Sequence, residues 1–68
     1  MIVSEQAQEI GYRLRRARAE LNYSQAEMAA ELDVSRRAYV GYEAGRYLAQ
    51  PRRRRAILAW LAQHEAAA

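Results

Sequence analysis

The chain has 68 residues and a formal net charge of +3, with no cysteine, one histidine (His64) and one aspartate (Asp33). A chain of this length forms one small domain that buries only ~60% of the surface its unfolded form exposes. Neither a disulfide nor a thiolate metal site can reinforce it, no metal or cofactor is expected, and the lack of paired carboxylates, a nucleophile–base couple or a phosphate-cradling loop argues against an enzyme. All eleven basic residues are arginine, whose planar fork of donors suits phosphates and guanine edges. No apolar run approaches the ~20 residues of a membrane span. Met1-Ile2-Val3 leads directly into polar residues, not into a leader, so a cytoplasmic protein without membrane association is expected.

The first element opens at Ser4, an N-cap, with Glu5 where a negative charge suits the helix dipole. Ile10, Leu14, Ala17 and Leu21 recur at helical spacing and predict an amphipathic helix over 5–21. Its other side carries Arg13, Arg15, Arg16 and Glu20, expected as a solvated face. Asn22 can take the left-handed conformation that ends a helix. Ser24 and Glu27 then form a capping box, and Met28, Ala29 and Leu32 mark one face of a short helix over 25–32. Asp33-Val34 interrupts that period. Ser35 caps a third helix over 36–43, in which Tyr39 and Tyr42 face the core and Arg36, Arg37, Val40 and Gly41 face out. Gly45 closes it.

Arg46 to Gln50 make a loop, and Pro51 opens a last helix over 51–64, at the position where its missing amide is harmless. Arg52, Arg53, Arg54 and Arg55 crowd the start of that helix against its dipole. They form either a clamp on a phosphate strand, with Arg52 or Arg53 foremost, or a solvated basic turn that could also meet RNA. Ala56 to Ala62 is apolar nearly all round, where a surface helix should be apolar on one side only. Ile57, Leu58 and Leu61 can fill the core, leaving Trp60 and its neighbours for a partner. A two-fold dimer through Ile57, Trp60 and Leu61 is one account of this, and Trp60 roofing a small core is another. His64 to Ala68 should fray. The fold class expected is all-α, a compact four-helix domain.

Several of these residues fall into a known pattern. Ser24-Gln25, Met28-Ala29, Leu32, Val34-Ser35, Tyr39, Tyr42-Glu43 and Gly45-Arg46 resemble the helix-turn-helix of the lambda-repressor-like, or xenobiotic-response-element type, DNA-binding regulators. The likeness extends upstream through Ile10-Gly11, Arg13-Leu14 and Arg18 and downstream to about Leu61. The resemblance implies double-stranded DNA as the partner and the third helix in the major groove, led by Arg36 and Arg37. A bidentate arginine–guanine contact is worth about 1–3 kcal/mol of discrimination. Ser35 and Val40 would add a hydrogen bond and a thymine-methyl contact. Ser24, Gln25, Arg46, Tyr47, Arg52 and Arg53 would meet the phosphate backbone, and Arg18 would pair with Glu43.

Two positions depart from the family. Asp33 stands where glycine is usual in the turn. Gly41 stands where a long polar residue often reaches a base, and it would either bring the helix closer to the duplex or make room for Tyr39. The function implied is a transcriptional regulator, most simply a dimeric repressor on a palindrome with half-sites about 34 Å apart. It is similar to small phage or mobile-element repressors, including autorepressors beside anti-CRISPR genes, and no small-molecule effector is expected. The alternative is an antitoxin that holds a toxin protein through the apolar last helix and binds DNA secondarily.

Overall fold

Serines start the first three helices, and left-handed residues stop them. The computed structural model describes residues 4–67 and contains α1 (Glu5–Leu21), α2 (Gln25–Glu31), α3 (Arg36–Glu43) and α4 (Pro51–Ala67). Met1-Ile2-Val3, on which the absence of a leader was argued, and Ala68 lie outside the described residues. Ser4, Ser24 and Ser35 hold extended backbone, and each hydroxyl accepts from the amide three residues on, at Ala7, Glu27 and Ala38. At Ser24 the Glu27 carboxylate also accepts from the serine amide at 2.8 Å, completing the capping box. Asn22, Asp33 and Gly45 sit at φ 59°, 56° and 72°. In each case the following amide reaches back to the carbonyl five residues earlier, from Tyr23 to Arg18, Val34 to Ala29 and Arg46 to Gly41. These are Schellman closures, which satisfy carbonyls that would otherwise lack donors.

α3 packs against both α1 and α2, and α4 lies along α1. The core joins Ile10, Leu14 and Ala17 of α1 to Met28 and Ala29 of α2, Tyr39 of α3, Ala49, and Ile57 and Leu61 of α4. This corrects the dimer assignment. Ile57 and Leu61 are 2% and 0% exposed, because their four-residue spacing turns both onto α1, and neither is open to a second copy. Trp60 is half-buried against the same core. Its Nε1 donates to Glu31 at 3.3 Å and its ring stacks on His64, with centroids 5.3 Å apart. The apolar surplus of the 56–62 stretch is alanine: Ala56, Ala59 and Ala62 are exposed.

The end of the chain also differs from expectation. α4 continues to Ala67 because its last turns are tied to α1: His64 Nε2 lies 2.8 Å from a Glu20 carboxylate oxygen, and Arg13 donates twice to Glu65, at 2.8 and 2.6 Å. Arg15, Arg16 and Glu20 are exposed, as expected of a solvated face, and Arg13 is half-buried, but each of these arginines also finds an acceptor. Arg16 donates to Glu20 at 3.4 Å, and Arg15 donates to the Glu43 carbonyl. Among the described residues no helix is long and apolar enough to cross a membrane.

α1 and the end of α3 approach at backbone distance. A Cβ on Gly11 would lie 2.7 Å from the Glu43 carbonyl oxygen and 3.0 Å from that of Tyr42. Alanine is better than glycine in a helix interior by about 1 kcal/mol, but wedging backbone against backbone costs about 1–3 kcal/mol. Gly11→Ala is therefore expected to lower stability by about 1 kcal/mol net. Asp33→Gly should do the reverse, relieving the left-handed strain of a side chain that has no hydrogen bond among the described residues. A gain of about 0.5 kcal/mol raises the melting temperature by about 2–4 °C at this size. Thermal denaturation followed by circular dichroism checks both signs.

Candidate nucleic-acid interface

One buried carboxylate sets the pose of α3. Glu43, at the end of the helix, is 5% exposed. Arg18 of α1 clasps it with two bonds, Nε to Oε2 at 2.7 Å and Nη2 to Oε1 at 3.0 Å. A third nitrogen of the same guanidinium donates to the Tyr23 carbonyl at 3.1 Å, which fixes the α1–α2 link. Gln25, in the first turn of α2, donates to Oε1 at 3.2 Å. Burial alone would raise the Glu43 carboxyl. The Arg18 fork, with Tyr39 and Gln25 beside it, outweighs burial and holds the group below the usual carboxylate range. Burial, and then the neighbouring carboxylate, push the Tyr39 phenol far above its ordinary value. Its hydroxyl is enclosed without a well-formed hydrogen bond.

With that end pinned, the other end of α3 is presented outward. Ser35, Arg36 and Arg37 are exposed, and Val40 is half-buried behind them. Arg36, Arg37, Val40, Gly41, Arg46 and Tyr47 line one open concavity. Arg53 donates to the Asp33 carbonyl at 3.2 Å, so the start of α4 lies beside the α2–α3 turn, where Arg52 and Arg53 border Leu32 and Asp33. Arg54 turns the other way, toward Ala7, Ile10 and Tyr42.

The arginines fall into two groups. Arg13, Arg15, Arg16 and Arg18 of α1 all donate to acceptors within the protein. Among the described residues, Arg36, Arg37, Arg46, Arg52, Arg54 and Arg55 have no acceptor. Arg36, Arg37 and Arg46 line the concavity beside α3, and Arg52 borders the α2–α3 turn next to Arg53. Positive charge in the first turn of a helix opposes the dipole, and such a breach of local preference is more often found at a functional site.

Two expected contacts are partly committed elsewhere. The Ser24 oxygen accepts from the Glu27 amide, which leaves its hydroxyl proton available. One side-chain proton of Gln25 goes to Glu43, so this residue braces α3 as well as standing at the α2 terminus. Gly41 makes room for a different side chain from the one expected. A Cβ there would fall on the Tyr47 hydroxyl and Cζ, and 2.8 Å from Cε2. The glycine thus makes room for Tyr47, not Tyr39. Nothing in the local sequence signalled this, because the partner follows six residues later across a turn. Among the described residues no group of three or more His, Cys, Asp or Glu could hold a metal ion.

Two short helices set across a tight turn, with the first turn of the second exposed and basic, define a helix-turn-helix DNA-binding domain. Residues 14–58, well over half of the chain, match the family model described as Helix-turn-helix, and the chain belongs to that lambda-repressor-like family of DNA-binding regulators. No curated protein and no solved structure matches it.

Arg18→Ala strands a buried carboxylate. The expected loss is about 3 kcal/mol, more than about 10 °C in melting temperature. The sign of the pH dependence follows from Glu43, whose folded pKa lies below the unfolded value of about 4.3. Its contribution is present above that unfolded value and is lost as pH falls through the folded one. Glu43→Gln should therefore be less stable than wild type at pH 7 and lose less on acidification. Denaturant titrations between pH 7 and pH 3 measure both.

Proposed function

We propose that this protein is a sequence-specific regulator of transcription that places α3 in the major groove of double-stranded DNA and acts as a repressor. The observation that carries this is the sorting of the arginines: those of α1 donate to acceptors within the protein, three of them to carboxylates, and Arg36, Arg37 and Arg46 beside α3 are left for an outside anion. Arg36 and Arg37 read base edges, at least one of them a guanine through N7 and O6, with Ser35 and Val40 beside them. Arg46, Arg52 and Arg53 lie on phosphates, joined by the Ser24 hydroxyl and the first turn of α2. Occupation of the groove excludes other proteins from the same segment, which suffices for repression, including that of the regulator's own promoter in a phage or mobile element.

Two copies on a palindrome, about 34 Å apart, follow from the way such helices are spaced on B-DNA. Of the three residues first assigned to a protein contact, only the outer edge of Trp60 remains for a second copy. An antitoxin role would need an apolar α4 face open to a toxin, and that face is turned into the core.

Selection from random duplexes tests the assignment. Arg36→Ala or Arg37→Ala should flatten the preference at one defined base pair by about 1–3 kcal/mol. Arg46→Ala and Arg52→Ala should weaken binding to all sequences alike and each reduce the slope of log affinity against log salt by about one. Equal loss on every sequence for Arg36→Ala and Arg37→Ala would move those two residues to the backbone class.

A further inference from the structure

We propose that Tyr47, a loop residue, reads a base edge in place of the side chain that Gly41 lacks. This rests on the assignment of α3 to the major groove. Arg37 and Gly41 are four residues apart and share the outward face of α3. A side chain at 41 would leave the helix through the space where the Tyr47 hydroxyl and Cζ now lie. The phenol tip therefore continues the stripe that Arg37 begins.

The ring is not loose on the surface. Tyr42, half-buried against the core, meets it edge-on, with centroids 5.5 Å apart and planes at 85°. Tyr47 is nevertheless 48% exposed. Among the described residues its hydroxyl makes no hydrogen bond, and the ring borders the same concavity as Arg36, Arg37 and Arg46. A half-exposed aromatic, braced from behind and with its polar tip unengaged, is suited to a partner that is itself part apolar and part polar. A base edge in the major groove fits that description.

A phenol donates and accepts one bond each, so it can meet the N7 of a purine or an exocyclic amine. Four residues of helix advance about 6 Å, and successive base pairs rise 3.4 Å. The base met by Tyr47 is then one or two pairs from the one read by Arg37. A single neutral hydrogen bond gives roughly three- to ten-fold discrimination.

The experiment is selection from random duplexes with wild type, Tyr47→Phe, Gly41→Ala and Arg37→Ala, each shown by circular dichroism to fold. Tyr47→Phe keeps the ring and removes only the hydroxyl. Gly41→Ala drives the phenol off the helix, which a flexible, half-exposed side chain permits. Both should lose the preference at the same base pair, one or two steps from the pair lost in Arg37→Ala, and keep the rest of the motif. An unchanged motif in Tyr47→Phe overturns the proposal. So does a uniform loss on all sequences, which would make Tyr47 a phosphate contact. A wild type that selects no motif overturns the groove assignment itself, a result distinct from both.

Discussion

A single carboxylate, that of Glu43, ties together three of the four helices. Arg18 brings α1 to it and holds the α1–α2 link through the Tyr23 carbonyl. Gln25 brings α2, and Glu43 is itself the last residue of α3. The Glu43 backbone is used as fully as its side chain. Its carbonyl oxygen accepts from Arg15 and faces Gly11, whose missing Cβ lets α1 come this close. A buried ion pair adds little net stability compared with apolar packing of the same volume. It does supply direction, because a two-bond fork tolerates little rotation. With only one large side chain of α3, Tyr39, fully buried, packing alone would leave the helix free to roll. The clasp at its far end fixes which residues of its first turn point outward.

Charge follows the same division of labour. Eight acidic residues are too few to neutralise eleven arginines, and their placement decides which arginines stay free. Glu20, Glu43 and Glu65 are spent on α1. No acid lies in the first turn of α3 or of α4. Unpaired positive charge is thereby left at the starts of α3 and α4, where it attracts a polyanion.

Much of this was legible in the sequence because much of it is local. Ser4, Ser24 and Ser35, with Asn22 and Gly45, are caps whose chemistry lies within a few residues of where it acts, and the all-α fold followed from them. What could not be read depends on residues far apart in the chain. Ile57 and Leu61 were legible as core candidates, but that both are wholly turned onto α1 and closed to a second copy follows from the rotation of α4, which an alanine-rich helix leaves undetermined. His64 looked like a frayed tail because its partners, Trp60 and Glu20, meet it only once α4 is docked. The acceptors of Arg13 and Arg15, Glu65 and the Glu43 carbonyl, could not be read because they are 52 and 28 residues away. Gly41 was recognised as a departure, but its cause, the Tyr47 ring, crosses a turn that no periodicity describes.

The serine starts and left-handed stops have a kinetic consequence. Where each of the first three helices begins and ends is decided by neighbours in the chain, before any long-range contact exists. Folding then amounts to docking segments whose limits are already marked, the regime in which small helical domains reach the native state in microseconds to milliseconds. A chain so marked is thus competent to fold almost as soon as it leaves the ribosome.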